Sequence, residues 1–209
     1  MRYLTFALAK GRLSELSAKM LDKIGISSQL EKESRKLVYV NDEFKLKFIL
    51  PKAWDVPTYV EYGAADLGVV GKDTLMEEKR NIYEILDLGF GKCKIAVAGF
   101  SHNLHLMQYG NNFRVASKYP VITEDYFHGK RQQNCEVIKM SGSVELAAIS
   151  GIADMIVDLV ETGTTLKENG LTIFTDIADI SARLVVNRVS LKMEHTRITE
   201  LINRIKEAI

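Results

Sequence analysis

The sequence lacks nearly every feature that would mark it for a specialised role. Its 209 residues carry 28 Lys and Arg against 27 Asp and Glu, a formal charge of +1. No basic field therefore exists to hold a nucleic-acid backbone, and any anion site must come from a few convergent groups. Two cysteines, Cys93 and Cys135, lie far apart without metal-type spacing, which argues against a disulfide framework. No window approaches the roughly 20 apolar residues of a membrane span. The apolar N-terminal run is broken by Lys10 and Arg12, so a secretory signal lacks its hydrophobic stretch and its cleavage site. A cytoplasmic protein with neither nucleic acid nor membrane as partner is expected. Internal repeats, low-complexity tracts and a Pro/Gly/Ser linker are also missing. No Ser-His-Asp or Cys-His pattern supports a nucleophilic mechanism. His102 and His105 have no third ligand candidate, and no metal site is expected.

What is present is an ordinary globular composition, 46% hydrophobic and 26% charged, long enough for one large domain or two small ones. Apolar periodicity predicts strands over 3–9, 67–70, 83–88, 92–98, 113–117, 136–140, 171–177 and 183–187. Residues 36–41 and 44–50 read as a hairpin around Asn41-Asp42-Glu43. A first helix buries Leu13, Leu16, Met20, Leu21 and Ile24 and stops at Gly25; a last one, over 195–209, buries Ile198, Leu201, Ile202, Ile205 and Ile209. Asp55 is placed to cap a short helix carrying Val56, Tyr59 and Val60. Further helices are expected over 120–128 and 144–149, and 101–112 reads as loop or irregular helix. Strands alternating with helices predict an α/β fold with largely parallel sheets. Two domains would be joined by strands crossing near 88–92 and 177–183.

The chemistry concentrates between Asp154 and Leu171. An apolar run bracketed by Asp154 and Asp158 feeds the loop Glu161-Thr162-Gly163-Thr164-Thr165. Gly163 permits a tight turn, and the threonine hydroxyls with exposed N–H groups suit a phosphate. Asp158, at the strand end, is placed to accept hydrogen bonds from sugar hydroxyls. Phosphate donors and hydroxyl acceptors one loop apart describe a sugar-phosphate site. Thr162-Gly163-Thr164-Thr165 by itself also fits an ordinary strand–turn–helix junction with a Thr cap.

Three more junctions carry small or basic residues: Lys10-Gly11-Arg12, the loop Gly71-Lys72-Asp73-Thr74, and Ser141-Gly142-Ser143. Such junctions gather at the carboxyl ends of strands, where ligands of open α/β sheets bind. Lys10 and Arg12 put positive charge at a helix start, which costs stability and suggests an anionic ligand. Lys72 makes the argument more weakly, because Asp73 beside it can neutralise it. Ser143 and Glu145 read either as a cap with an acidic first turn or as ligands for ribose hydroxyls. Trp54 and the tyrosines at 59 and 62 default to core packing.

The 158–165 loop resembles the phosphoribosyl-diphosphate (PRPP) loop of phosphoribosyltransferases. Taken with Lys10-Gly11-Arg12-Leu13, the stretches 55–66 and 67–73, Ser141 to Leu146, and 153–171, the whole chain resembles the ATP phosphoribosyltransferase family. Ala9 and Ala148 stand where that family usually has proline; neither change removes a reacting group. The resemblance implies a two-lobed fold like type II periplasmic binding proteins, with domain I over 1–90 plus 180–209 and domain II over 91–179. It implies transfer of the phosphoribosyl group of PRPP to N1 of ATP, the first step of histidine biosynthesis. It assigns Lys10 and Arg12 to catalysis, Asp154, Asp158, Glu161, Thr162, Gly163, Thr164 and Thr165 to PRPP, and Lys72, Asp73, Ser143 and Glu145 to ATP or ribose. Mg2+ would arrive on PRPP and ATP without a dedicated protein ligand cluster. The chain ends after the catalytic core, like the family's short form. That form implies a homodimer joined to a histidyl-tRNA-synthetase-like regulatory subunit in a hetero-octamer. The competing readings are a phosphoribosyltransferase with another purine acceptor and a solute-binding module without chemistry.

Overall fold

A computed structural model describes residues 2–27, 36–109 and 112–209. The chain divides into two compact units, Met1–Gly91 with Ser181–Ile209, and Lys92–Ile180. The first opens with β1 (Leu4–Leu8), α1 (Arg12–Lys23), β2 (Val38–Asn41), β3 (Leu46–Ile49), α2 (Val56–Glu61), β4 (Leu67–Gly71), α3 (Lys72–Glu78) and β5 (Tyr83–Asp87). The second holds β6 (Cys93–Gly99), α4 (Leu104–Tyr109), β7 (Phe113–Ser117), α5 (Pro120–Glu124), β8 (Cys135–Lys139), α6 (Glu145–Ile149), β9 (Met155–Val160), α7 (Thr164–Glu168) and β10 (Thr172–Ile180). The chain then returns to the first unit for β11 (Ala182–Val186), α8 (Arg188–Met193) and α9 (His195–Ala208).

The first sheet runs β2-β3-β1-β4-β11-β5 and the second β10-β6-β9-β7-β8. In the first, β3, β1 and β4 are mutually parallel, and β11 is antiparallel to both β4 and β5, so β5 shares the direction of β4. Only β2 and β11 oppose the other four. In the second, β8, β7 and β9 are parallel, β6 is reversed, and β10 turns back to the common direction. The mixed, largely parallel α/β architecture expected from the alternation is thus present. The physical reason is visible in β4, whose five residues Leu-Gly-Val-Val-Gly are all buried: a run without polar alternation requires cover on both faces.

That cover is asymmetric. Leu4, Phe6, Leu8, Phe48, Leu67 and Leu184 face α1 and α9, which contribute Met20, Leu21, Ile198, Leu201 and Ile205. Ala7, Val70 and Val185 face α2 through Val56 and Val60. In the second unit Ala98, Ala116 and Ile156 pack on Val144, Ala147 and Leu166 of the segments around α6 and α7. Cys93 and Cys135 form no disulfide.

Several local expectations change. Asp55 forms no side-chain cap; it lies in helical conformation at the end of a 3-10 turn, Ala53–Asp55, that leads directly into α2. Gly71 to Thr74 is not a loop, because α3 starts at Lys72 as β4 ends. The helix over 120–128 is five α-helical residues continued by a π-helical turn, Asp125–Lys130. The 101–112 segment contains a 3-10 turn and α4; Gly110 and Asn111 lie outside the described residues. Helix α8 was not anticipated, although its cap is a strong local signal: Asn187 Oδ1 accepts from Val189 N (2.9 Å) and Ser190 N (2.8 Å). Tyr62 is 79% exposed and Tyr59 42%, so neither is core.

Candidate active site

In the second unit the parallel order β9-β7-β8 carries the segments after β8 and β9 to the same edge of the sheet. The first starts α6 with Glu145; the second is the 161–165 loop. Together they enclose a cleft of about 280 Å3, lined by Glu145, Asp158 and the whole of Glu161 to Thr165 over Ala96, Ala98 and Ile156. The floor is open because the register sets the small Ala96 opposite Asp158 and the small Ala98 opposite Ile156. Each β6 methyl leaves room that a larger side chain would fill.

Gly163 caps α7 in the left-handed region, φ 75° and ψ 4°. A β-carbon there would lie 3.8 Å from Val160 and Ile173, an ordinary contact, so the requirement for glycine is conformational rather than steric. The Thr162 and Thr164 hydroxyls lie 3.0 Å apart, and Thr164 N–H points at Thr162 Oγ1 at 3.4 Å. With Thr162 and Thr164 both exposed at one turn, the loop offers hydroxyl donors to an oxyanion. Helix α7 has only five residues, so these individual donors, rather than a long helix dipole, supply the attraction. Asp158 accepts the N–H of Leu159 at 2.8 Å and is half-buried in the wall.

Two residues expected at this site stand elsewhere. Asp154 precedes β9 and does not line the cleft; four residues of strand, about 13 Å, separate it from Asp158. Its carboxylate accepts from Arg114 N at 2.8 Å and pairs with the Arg114 guanidinium at 3.6 Å, while its carbonyl receives Asn103 Nδ2 at 2.8 Å. It ties the start of β9 to β7. Ser143 also stays outside the lining. It adopts φ 47° and makes no capping bond to α6, whose N-cap is Val144, so the expected serine cap is absent.

In the first unit β1 and β4 are adjacent and parallel, which brings the Lys10–Arg12 and Lys72–Asp73 junctions to one sheet edge. Gly11 at φ 110°, ψ −148°, a conformation open to glycine, sets the turn. Lys10 and Arg12 flank it, both exposed. The Lys10 backbone N–H donates to Pro51 O at 2.9 Å. Lys72 is committed to Glu84, at 2.6 Å, rather than to Asp73. Glu84 in turn pairs with Arg183 at 3.4 Å, and Arg183 with Asp87 at 3.0 Å. The Asp73 carboxylate lies over Gly71, where a β-carbon would sit 2.0 Å from its Oδ1.

Among the described residues no group of three His, Cys, Asp or Glu side chains is placed to hold a metal ion. No helix among them is long and apolar enough to cross a membrane.

Comparison with known proteins agrees with this geometry. A family model described as ATP phosphoribosyltransferase matches residues 52–207. The ATP phosphoribosyltransferase of Lachnoclostridium phytofermentans is 55% identical over 100% of this chain and 98% of its own length. That of Ruminiclostridium cellulolyticum is 54% identical over the same shares. Among solved structures, the ATP phosphoribosyl transferase (HisG:HisZ) complex from Thermotoga maritima contains a chain that is 31% identical. It superposes with a TM-score of 0.83, covering 98% of both chains. A shared fold, near-complete coverage and a cleft built around the 158–165 loop leave one conclusion: the chain belongs to the ATP phosphoribosyltransferase family.

Proposed function

We propose that this protein transfers the 5-phosphoribosyl group of PRPP to N1 of ATP, yielding N1-(5-phosphoribosyl)-ATP and pyrophosphate, the first step of histidine biosynthesis. The observation that carries the reading is the cleft, in which a left-handed Gly163 and its flanking threonines stand beside the Asp158 carboxylate. The threonine loop holds the 5′-phosphate. Asp158, with Glu145 and Glu161, holds ribose hydroxyls.

The bond from adenine N1 to the anomeric carbon forms as the bond to the pyrophosphate oxygen breaks, so the nucleophile belongs to ATP. This accounts for a site without an activated serine, cysteine or histidine. The chain contributes positioning and charge stabilisation. Lys10 and Arg12 are the groups we assign to the leaving pyrophosphate. Mg2+ enters bound to the substrate polyphosphates and shares in neutralising them. Lys72, held by Glu84, and Asp73, folded over Gly71, keep a role toward ATP only by rearranging. Asp154 acts through the backbone it holds at Arg114, not by direct contact.

The Thermotoga neighbour was solved as a complex of two kinds of chain. We propose a comparable partner here, a histidyl-tRNA-synthetase-like regulatory subunit joining a homodimer of this chain in a cytoplasmic hetero-octamer. Histidine inhibition would then arise through that partner, because coupling requires a second site.

The test is pyrophosphate release from PRPP with ATP and, separately, with other purine nucleotides, each with and without the regulatory subunit. Release with ATP is expected. Release only with a different purine would replace the acceptor, and no release with any acceptor would favour a binding module.

A further inference from the structure

The cleft has a charge imbalance that its proposed ligand makes acute. Among its lining residues are three carboxylates, Glu145, Asp158 and Glu161, and neither a lysine nor an arginine. A polyphosphorylated sugar entering this space meets hydroxyl and N–H donors but also like charge. The strand register points to a cation that can offset it. Ala96 and Ala98 of β6 both line the cleft, and side chains two residues apart on a strand share a face. Lys94 therefore lies on the same face of β6, one step beyond Ala96. It is paired in register with Val160, the residue from which the 161–165 loop departs. Asp158 is its diagonal neighbour across the pair, within reach of a long side chain.

Lys94 is also held in place. The bulge in β10 between Asp176 and Ala178 sets Asp176 opposite Ala96 and Asp179 opposite Lys94. The Lys94 ammonium forms a hydrogen-bonded ion pair with Asp176. This bond, the charge of Asp176 and that of Asp179 raise the ammonium above its ordinary value, so it stays protonated at neutral pH. An ammonium has three donors, and one is used by Asp176. Two remain for an incoming oxyanion, and the side chain is half exposed.

We propose that Lys94 binds a phosphoryl group of the phosphoribosyl donor, with Asp176 as the residue that positions it. The inference rests on the phosphoribosyl-transfer reading above.

Calorimetric titration of the full chain with Mg2+ and PRPP tests it, with ribose 5-phosphate and pyrophosphate as separate probes. One charge-assisted hydrogen bond lost should weaken PRPP binding by about ten- to a hundredfold in Lys94→Gln, while Lys94→Arg retains most of the affinity. Weakening shared by ribose 5-phosphate assigns the contact to the 5′-phosphate; weakening shared by pyrophosphate assigns it to the leaving group. Lys192→Gln, which removes the same charge from an exposed position on α8, should bind as the unmodified chain does. Unchanged affinity in a folded Lys94→Gln variant, an equal loss in Lys192→Gln, or no rescue by arginine would overturn the proposal. Failure of the unmodified chain to bind PRPP would instead overturn the phosphoribosyl reading itself.

Discussion

Substitution of Gly163 separates two ways in which the phosphate loop can fail. At φ 75° and ψ 4° an L-residue suffers contact between its β-carbon and the following carbonyl, costing about 1–2 kcal/mol. A β-branched side chain suffers more, up to about 3 kcal/mol. The space itself is not limiting, since a β-carbon would sit 3.8 Å from Val160 and Ile173. The cost is therefore one of backbone conformation. A Gly163→Val loop escapes it by leaving the left-handed region, which displaces the flanking threonines that line the cleft. The loop is exposed and lies outside both sheets, so the fold should persist. A conformational penalty of about 2 kcal/mol corresponds to roughly thirtyfold weaker PRPP binding. The decisive comparison is Gly163→Asn against Gly163→Ala. Asparagine tolerates the left-handed region better than alanine but is larger. The expected order of PRPP affinity by calorimetry is Gly, Asn, Ala, Val. If Asn binds worse than Ala, side-chain bulk decides and the conformational argument fails; unchanged affinity in folded Gly163→Val would refute it altogether.

Two further outcomes follow from other parts of the molecule. Lys10→Ala should lower kcat and kcat/KM together by about a hundredfold, because a contact to the departing pyrophosphate strengthens in the transition state; a change confined to KM would make Lys10 a uniform binding group. Asp66 is 2% exposed and accepts from the two terminal guanidinium nitrogens of Arg2 (3.1 and 2.7 Å), Thr5 N (2.7 Å) and Ser190 Oγ (2.6 Å). Burial alone would raise this carboxyl, but the bonds from Arg2, Ser190 and Thr5 bring it below its ordinary value. Its stabilisation is accordingly complete above the unfolded value of about 3.9 and lost as pH falls through the lower folded value. Asp66→Asn should destabilise the first unit by about 3 kcal/mol and flatten that acid limb. Urea unfolding followed by fluorescence of Trp54, the single tryptophan, measures both; a loss under about 1 kcal/mol would show the network to be dispensable.

Much of the architecture could be read from the chain because its cues are local. The apolar run of β4, the period of α1 and α9 and the alternation of strands with helices specify which faces must be covered. They imply a mixed, largely parallel α/β fold. The 158–165 stretch was legible for the same reason: a glycine between threonines after a buried strand encodes its own turn. Cues that depend on side-chain bonding were read less well. Asp55 has the composition of a cap but lies in helical conformation, whereas Asn187 caps α8 with two bonds at a position where no helix was expected.

The sequence by itself determined the elements, the family and the candidate loop, since each is a pattern within a few contiguous residues. Only the tertiary structure decided which candidates share a site. Asp154 and Asp158 look alike in the sequence, four residues apart, one just before β9 and one within it, yet about 13 Å of extended backbone puts one against Arg114 and the other in the cleft. Lys72 and Glu84 are twelve residues apart in the sequence but 2.6 Å apart in space, because β4 and β5 both pair with β11 and run side by side across it. Lys94 carried no motif at all. Its place beside Ala96, on the face of β6 that lines the cleft, follows from strand register, which is fixed by pairing with Val160, far away in the chain, and so leaves no signature in the local sequence.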